Sequence, residues 1–385
     1  MKRSILIFSI CLLSLLSNAQ NINTFYQSIV EKCKNDTLYK NLQAFENFGI
    51  KQHGNPALLN TFNWLMGKYQ SYGYSDFSID TFEIQGEECY NLIVSKAGTK
   101  YPDKYLIIDS HYDTWGGPGS DDNGTGTIII LEIARLLKDI DTEYSVRFCA
   151  FSGEEVGLIG STHYVENVVV PEEHDIKLVF NIDCVGGVNG EVNNMVTCER
   201  DEDPPSYNDL DSKLYTDTLC TLVSLYSDLS TMITHAWATD YIPFMDVGYV
   251  ITGLYESNIN YNCHGPNDII ANLDTAYFFQ VARASIGAGL YFSGAYDEVG
   301  INEIREEPEV YIYPNPASNH ISVSIPDHEN ARQLRVYDMA GVIVLDIPIN
   351  SSYQKLNIQK LKPGMYSLNI VWNNNTMSNR LFVKL

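Results

Sequence analysis

The spacing of hydrophobic residues alternates between a helical and a strand-like period over most of the chain. Between residues 20 and 75 apolar positions recur at three-to-four spacing, as in PALLNTFNWLMGKYQSYGY, which predicts mainly helices. Further along, short apolar runs that predict strands alternate with amphipathic stretches such as TGTIIILEIARLLKDI. This alternation predicts an α/β fold with a mixed, mostly parallel sheet flanked by helices. The polar stretch CERDEDPPSYNDLDSK, which begins at Cys198, is expected to be a surface insertion.

The pattern changes near residue 298, where a charged stretch precedes a series of short strand-like segments. Alternating apolar and polar positions continue to the end of the chain, interrupted by the turn signals NPASN and LKPG. This pattern predicts a small β-sandwich. We therefore predict an α/β domain at residues 20–298, a linker at 299–309 and a β-sandwich at 310–385.

The first 19 residues have the features of a secretory signal peptide. A basic pair precedes an apolar run, and Ser17, Asn18 and Ala19 form a small-residue cleavage site. The apolar run is too short for a membrane span, and no other segment is expected to cross a bilayer. A net charge of -23 argues against nucleic acid as a partner, because nucleic-acid binding depends on cationic side chains.

Seven of the eight cysteines follow the predicted signal peptide, and no CxxC pair suggests a cysteine zinc site. Cys149 and Cys184 lie in apolar strand segments and are expected to be packed thiols. Cys198, Cys220 and Cys263 are the better disulfide candidates in an exported protein, with their pairing left open.

Acidic residues and histidines are concentrated where predicted strands end. Each of the five stretches that carry them also has a structural explanation, such as a hydrogen-bonded histidine or an aspartate that caps a helix. Together they supply imidazole and carboxylate ligands at the strand ends, a mixture that suits zinc. A bridging carboxylate would hold two metal ions roughly 3.5–4 Å apart. In chain order the five stretches are IIDSHYDT, PGSDDNGTG, CAFSGEEVG, FNIDCVGG and NCHGPNDII.

The order and spacing of these motifs, over about residues 85 to 290, resemble the secreted zinc aminopeptidases with a co-catalytic metal pair, the family of the bacterial leucyl aminopeptidases. The resemblance implies the zinc-exopeptidase fold and two Zn²⁺ ions. It implies that His111 and Asp183 bind one zinc. Glu155 and His264 would bind the other zinc, and Asp121 would bridge the two ions.

The same resemblance implies roles for neighbouring residues. Glu154 would be the general base and acid, because adjacent glutamates at a strand end can point in different directions. Asp113 would support His111, since residues two apart on a strand share a face. A cis peptide bond is expected between Asp121 and Asp122.

The segment ATDYIPFMDVG departs from the family pattern. It keeps Asp240 but has Tyr241 where family members often carry histidine. Asp240, Tyr241, Phe244 and Tyr255 are expected to line the substrate pocket, with ordinary core packing as the alternative for the three aromatic residues.

The C-terminal segment resembles the sorting domain of cargo of the type IX secretion system of the Bacteroidetes. The resembling stretches are YPNPAS, LRVYDMAGVIV and LKPGMYSLNI. The resemblance implies interaction with the secretion machinery, export across the outer membrane and a location in the medium or on the cell surface. An appended sandwich that binds another ligand is the alternative.

These features lead to the hypothesis of a secreted metalloaminopeptidase that acts on peptides with a free N-terminus. A glutaminyl-peptide cyclotransferase shares the fold but uses one zinc. A zinc carboxypeptidase would need a cationic group for the substrate carboxylate, and the sequence offers no clear candidate. A non-catalytic surface binding protein would be marked by loss of Glu154 or of a ligand, and none is missing.

Overall fold

The chain divides into two compact units, residues 1–297 and 298–385. The computed structural model describes residues 22–297, 310–325, 328–338, 342–373 and 377–385. The predicted signal peptide, residues 1–19, and the predicted linker, residues 299–309, lie outside the described residues.

Three helices open the first unit, as the hydrophobic spacing predicts. They are α1 (Thr24–Val30), α2 (Asn35–Glu46) and α3 (Pro56–Ser71). The Asn55 side chain accepts a hydrogen bond from the Ala57 backbone N–H, and Pro56 occupies the first turn of α3. Both features favour helix initiation, because an asparagine cap satisfies an unpaired N–H and proline lacks one.

An eight-stranded mixed sheet forms the centre of the first unit. Its order is β1-β2-β5-β3-β6-β9-β7-β8. The central strands β5, β3, β6 and β9 run parallel to one another, so their carboxyl ends share one edge of the sheet. The strands are β1 (Phe77–Ile84), β2 (Glu87–Lys96), β3 (Tyr101–His111), β5 (Tyr144–Phe151), β6 (Asp175–Ile182), β7 (Met195–Arg200), β8 (Ser230–His235) and β9 (Ile251–Glu256). A separate two-stranded sheet pairs β4 (Asp141–Thr142) with β10 (Ala295–Tyr296).

Helices and their side chains cover both faces of this sheet. Leu106 and Ile108 of β3 belong to one hydrophobic core, while Ile107 between them belongs to a second core on the opposite face. The remaining helices are α4 (Gly126–Leu137), α5 (Ile159–Tyr164), α6 (Asp209–Tyr226), α7 (Ile242–Asp246) and α8 (Thr275–Ser293). Among the described residues, no helix combines the length and the apolar character that a membrane span requires.

One expectation about this unit is wrong in part. The stretch from Cys198 was expected to be a surface insertion, but Cys198–Arg200 complete β7, an inner strand of the sheet. Cys198 and Glu199 are fully buried. The charged residues of this stretch concealed the strand in the sequence, because a glutamate is rarely buried without a dedicated partner.

The second unit is a small β-sandwich, as predicted. Two antiparallel sheets, ordered β11-β12-β15 and β14-β13-β16-β17, enclose one hydrophobic core. The strands are β11 (Tyr311–Tyr313), β12 (His320–Ser324), β13 (Ala331–Asp338), β14 (Ile343–Pro348), β15 (Tyr353–Asn357), β16 (Gly364–Trp372) and β17 (Met377–Lys384).

Candidate metal centre and active site

The candidate site lies where the parallel central strands of the first unit end. His111 is the last residue of β3, Asp183 directly follows β6, and Glu154 and Glu155 follow β5 after a short turn. The loop that carries His264 follows β9. Residues far apart in the sequence therefore meet at one edge, the position where open α/β sheets bind their ligands.

His111 is buried among carboxylates. Its Nε2 atom lies 3.3 Å from Asp122 Oδ1, 3.5 Å from Asp183 Oδ1 and 3.8 Å from Glu154 Oε2. Neither this Nε2 nor Asp183 Oδ1 has a hydrogen-bond partner. Burial lowers the pKa of His111, but the charges of Glu154 and Asp183 outweigh it and raise this pKa well above its ordinary value. The imidazole nitrogen and the carboxylate oxygen lie 3.5 Å apart without hydrogen-bond partners, an arrangement in which both can bind a cation.

His264 forms a second cluster on the other side of Asp122. Its Nε2 atom lies 3.0 Å from Asp122 Oδ2 and 3.0 Å from Glu155 Oε2. The hydrogen bond with Asp122 raises the pKa of His264 to about 9, and burial raises the pKa of Glu155 to about 8. The imidazole is 60% exposed, so this cluster is open to solvent on the histidine side.

Asp122 is shared by both clusters, with one carboxylate oxygen toward each histidine. Burial alone would raise the pKa of Asp122, but its close contacts with the imidazoles of His111 and His264 outweigh it and hold this pKa below the ordinary range. A carboxylate with this placement has the geometry of a bridging ligand between two metal ions.

The structure places Asp122, rather than the expected Asp121, between the two histidines. The Asp121 carboxylate points away from the histidines and accepts hydrogen bonds from the Gly186 backbone N–H at 2.7 Å and from Asn260 Nδ2 at 2.6 Å. The cis peptide bond likewise lies between Asp122 and Asn123, not between Asp121 and Asp122. Two adjacent aspartates look equivalent in the sequence, and only the path of the backbone decides which of them faces the histidines.

Asp113 contacts His111 in a different way from the one expected. Its backbone carbonyl oxygen lies 3.1 Å from His111 Nδ1, whereas its carboxylate oxygen is 3.6 Å away, beyond hydrogen-bond range. The carboxylate instead accepts hydrogen bonds from the backbone N–H groups of Glu154 and Glu155, each at 3.3 Å. Asp113 therefore orients the imidazole through its carbonyl and the two glutamates through its side chain.

The two adjacent glutamates have different surroundings. Glu155 accepts a hydrogen bond from the Trp115 backbone N–H at 3.0 Å through one oxygen and faces His264 with the other. The Glu154 side chain is 13% exposed and lies beside His111. Burial, together with the charges of Asp240 and Asp183, raises the pKa of Glu154 well above its ordinary value. The two glutamates therefore face different histidines, Glu155 toward His264 and Glu154 toward His111.

Two of the expected pocket residues belong to the core. Tyr241 and Phe244 are fully buried, and the Tyr241 hydroxyl donates to Glu199 Oε2 at 2.8 Å. Both side chains therefore pack in the core, which is the alternative that the sequence analysis left open for them. Asp240 is also fully buried, and neither of its carboxylate oxygens has a partner that meets hydrogen-bond geometry. Tyr255 is half-buried. Neighbouring Cys184, burial and the charges of Asp183 and Asp122 raise the pKa of its hydroxyl. Tyr255 therefore lies close to the metal-ligand candidates.

Two exposed tryptophans were missed by the sequence interpretation. Trp115 is 43% exposed, and its backbone N–H contacts Glu155. Trp237 is 61% exposed, and its backbone N–H donates to the Tyr241 hydroxyl at 2.7 Å. Single surface tryptophans carry no periodic signal, so only the fold shows that Trp115 lies beside the candidate site.

Supporting residues behind the ligands were also missed. The Asp268 carboxylate accepts hydrogen bonds from the backbone N–H groups of Asp121 at 2.7 Å and Asp122 at 3.1 Å. The Thr239 hydroxyl donates to Asp183 Oδ2 at 2.7 Å. A Cβ atom at Gly117 would lie 1.8 Å from the Gly265 carbonyl oxygen, so only glycine permits this approach to the His264 loop. In the sequence, Asp268 is indistinguishable from the acidic residue of an ordinary turn.

Comparisons with known proteins give a family match in each of the two units. The profile of Peptidase family M28 matches residues 91–288, which include every candidate ligand, and the profile of the secretion system C-terminal sorting domain matches residues 311–384. The aminopeptidase YwaD of Bacillus subtilis (strain 168) is 43% identical over 88 residues, 23% of this chain and 19% of that protein. The chain spans between 19% and 34% of the length of the first curated relatives that it matches.

Solved structures show the same fold at low identity. The Legionella pneumophila LapA aminopeptidase is 18% identical with a TM-score of 0.61, over 72% of this chain and 77% of that chain. A Bacteroides thetaiotaomicron glutaminyl cyclase is 15% identical with a TM-score of 0.55, over 66% and 97% of the two chains. The fold is therefore shared by two activities and does not choose between them. The family profile covers just over half of the 385 residues and all of the candidate ligands, and the chain belongs to peptidase family M28.

Proposed function

We propose that this protein is an exported zinc aminopeptidase that removes N-terminal residues from peptides. The observation that carries the proposal is the position of Asp122, whose two carboxylate oxygens face His111 and His264. The aminopeptidase names of relatives in the same family support the substrate class.

The residues of the centre fit a pair of zinc ions. His111 and Asp183 would hold one ion, and Glu155 and His264 would hold the other. Asp122 would bridge them in place of the expected Asp121. Nitrogen and oxygen donors of this kind are those that zinc prefers at catalytic sites.

The clustering of donor atoms supports a metal centre at this position. Potential donor atoms of His111, Glu154 and Asp183 lie within 4.8 Å of one another, and so do those of His111, Asp122 and Glu155. The orphaned His111 Nε2 and Asp183 Oδ1 atoms would be costly to bury without a cation. When bound, zinc would acidify a water molecule and polarise the scissile carbonyl.

Glu154 is suited to move the proton. Its carboxylate lies beside His111 and has no role as a ligand in this proposal. Because burial raises its pKa, it is a stronger base than an exposed glutamate and can accept the proton of the attacking water. The same carboxyl group then donates that proton to the departing amine, which completes the cleavage of the peptide bond.

The side chains of the site favour a substrate with a free amino terminus. Glu154 and the buried Asp240 are carboxyl groups beyond those assigned as ligands. A carboxyl group can accept a hydrogen bond from an α-amino group, whereas neither side chain supplies the cation that a substrate carboxylate would need. The carboxypeptidase alternative is therefore not favoured.

The second unit accounts for export. Its match to the secretion system C-terminal sorting domain indicates delivery by the type IX system to the cell surface or the extracellular space. We propose that the secretion machinery contacts this unit and that residues 1–19 direct the chain across the inner membrane.

The test is mass spectrometry of a peptide that begins Leu-Gln, incubated beside its N-acetylated twin with and without a chelator. We expect chelator-sensitive loss of leucine from the free peptide alone. The Glu154→Gln variant should retain zinc and lose turnover, while Glu166→Gln, at an exposed glutamate, should act like the wild type. A third peptide, which begins with glutamine, is incubated in parallel. Its cyclisation, without removal of leucine from the Leu-Gln peptide, would favour the cyclotransferase. Intact peptides in every arm would contradict the proposal.

A further inference from the structure

Four cysteines of the first unit lie in two pairs that no role described above uses. The cysteines of the described residues are all free thiols. Cys184 and Cys263 form one pair, whose sulfur atoms lie within 4.8 Å of each other and of a carboxylate oxygen of Asp122. Cys198 and Cys220 form the other pair, and a hydrogen bond with Cys198 lowers the pKa of Cys220 to about 7.

The first pair joins two segments that carry candidate ligands. Cys184 directly follows Asp183, and Cys263 directly precedes His264. Cys184 is buried and Cys263 is half-buried, so the pair lies beneath the centre. A covalent bond between them would link the end of β6 to the His264 loop.

Apart from its close approach to Gly117 and the hydrogen bonds to Asp268, the His264 loop is held by a small number of further hydrogen bonds. Asn260 Nδ2 donates to Asp121 Oδ2 at 2.6 Å, and the Cys263 backbone N–H donates to the Asn260 carbonyl at 3.3 Å. The Asp268 backbone N–H donates to the Gly265 carbonyl at 3.1 Å. His264 is itself 60% exposed, so side-chain packing contributes little to its position.

We propose that Cys184 and Cys263 are a disulfide site, and that the bond fixes the His264 loop against the end of β6 once the protein has left the cytoplasm. Export delivers the chain to compartments where disulfides form and persist. In the reaction the two thiols lose two electrons and two protons as the S–S bond forms. A disulfide-bearing oxidant, either a protein or a small molecule, accepts them and leaves as two thiols.

The consequence for metal retention rests on the proposed zinc site, but the bond itself does not. With the loop fixed, His264 stays near Asp122 and Glu155 when a metal ion leaves, so the ion rebinds to formed ligands. With the thiols reduced, the loop can move away from these carboxylates. Reduction should therefore accelerate zinc release several-fold.

The first experiment maps the cysteines of the full chain collected after export. Free thiols are alkylated in denaturant without reductant, and the digest is analysed by mass spectrometry. We expect a linked peptide pair that contains Cys184 and Cys263 and lacks two hydrogens. Recovery of both residues in alkylated form overturns the proposal, as does linkage to other partners. Protection of the two cysteines from alkylation that disappears after a chelator is added would also overturn the proposal, because the thiols would then bind a metal ion together with Asp122.

The second experiment measures zinc release to a chromogenic chelator, which does not require activity. Reductant should accelerate release from the wild type several-fold. The Cys184→Ala/Cys263→Ala variant should release zinc at the faster rate with or without reductant. Cys198→Ala/Cys220→Ala is the matched control, since it removes the other thiol pair and should keep the wild-type response. Equal rates of zinc release in all proteins, with and without reductant, would refute a role of the disulfide in metal retention. The mapping experiment would then decide separately whether the disulfide forms.

Discussion

Separate substitution of Asp121 and of Asp122 tests the assignment of Asp122 as the shared ligand. Asp122→Asn removes the charge between the two histidines and leaves each with an amide, a poor zinc ligand. We expect this variant to fold and to lose at least one of the two zinc ions per chain. Asp121→Asn should keep both ions and lose stability instead, because the Asp121 side chain contacts other parts of the chain.

The expected cost of Asp121→Asn follows from its two hydrogen bonds. The oxygen of the new amide can still accept from the Gly186 N–H, but its nitrogen would face Asn260 Nδ2, so two donors would meet at 2.6 Å. Rotation of the Asn260 amide would relieve this conflict only by breaking the bond that Asn260 Oδ1 accepts from the Asn262 N–H. One buried hydrogen bond is lost in either case, at a cost of about 1–3 kcal/mol. In thermal unfolding this corresponds to a fall in Tm of about 2–10 °C.

The assay compares zinc content with stability. Zinc per chain is measured by elemental mass spectrometry after dialysis. The free energy of unfolding is measured in urea on metal-free protein, because bound metal would add its own stabilisation. Loss of zinc from the Asp121 variant together with full retention in the Asp122 variant would refute the assignment and restore the bridge expected from the sequence.

Three further outcomes are expected. Glu154→Gln should lower kcat by a factor of about 10²–10⁴ with unchanged zinc content. If this variant lost zinc to the same extent as it lost activity, Glu154 would be a ligand instead. Asp268→Asn should weaken zinc binding about 10–100-fold in a chelator competition, because it disturbs the backbone that places the bridge. Asp274→Asn, at the cap of α8, is the matched control and should leave zinc binding unchanged. Burial raises the pKa of Glu199 from 4.5 to about 8, so the folded state keeps a proton that the unfolded state releases. Stability of the metal-free protein should therefore fall as pH rises between about 5 and 8, by at most about 1.4 kcal/mol per unit, and Glu199→Gln should flatten that slope in urea titrations.

The position of the candidate centre could be predicted because its residues sit at element boundaries that the sequence marks, and the family could be predicted from the order of its motifs. His111, Glu155 and Asp183 each follow an apolar run, and parallel strands bring such ends together at one edge. The sorting unit was predictable for a similar reason, since its alternating pattern is local.

Other features depend on contacts between distant segments. Glu199 looks like a surface charge, yet it is fully buried on an inner strand where Tyr241 supplies its partner. For Tyr241 and Phe244 the sequence left pocket lining and core packing open, and the packing of α7 and the residue before it places both in the core. Asp268 holds two backbone N–H groups almost 150 residues earlier in the chain.

By itself, the sequence determined the two-unit organisation and the strand-end position of the acidic residues and histidines, because hydrophobic period is a property of neighbouring residues. The order of its motifs along the chain determined the family. The tertiary structure alone decided that Asp122, rather than Asp121, lies between His111 and His264. Both aspartates have the same charge and the same preference for a turn. What separates them is the direction of each carboxylate, and hydrogen bonds from Asp268, Gly186 and Asn260 set that direction across the fold.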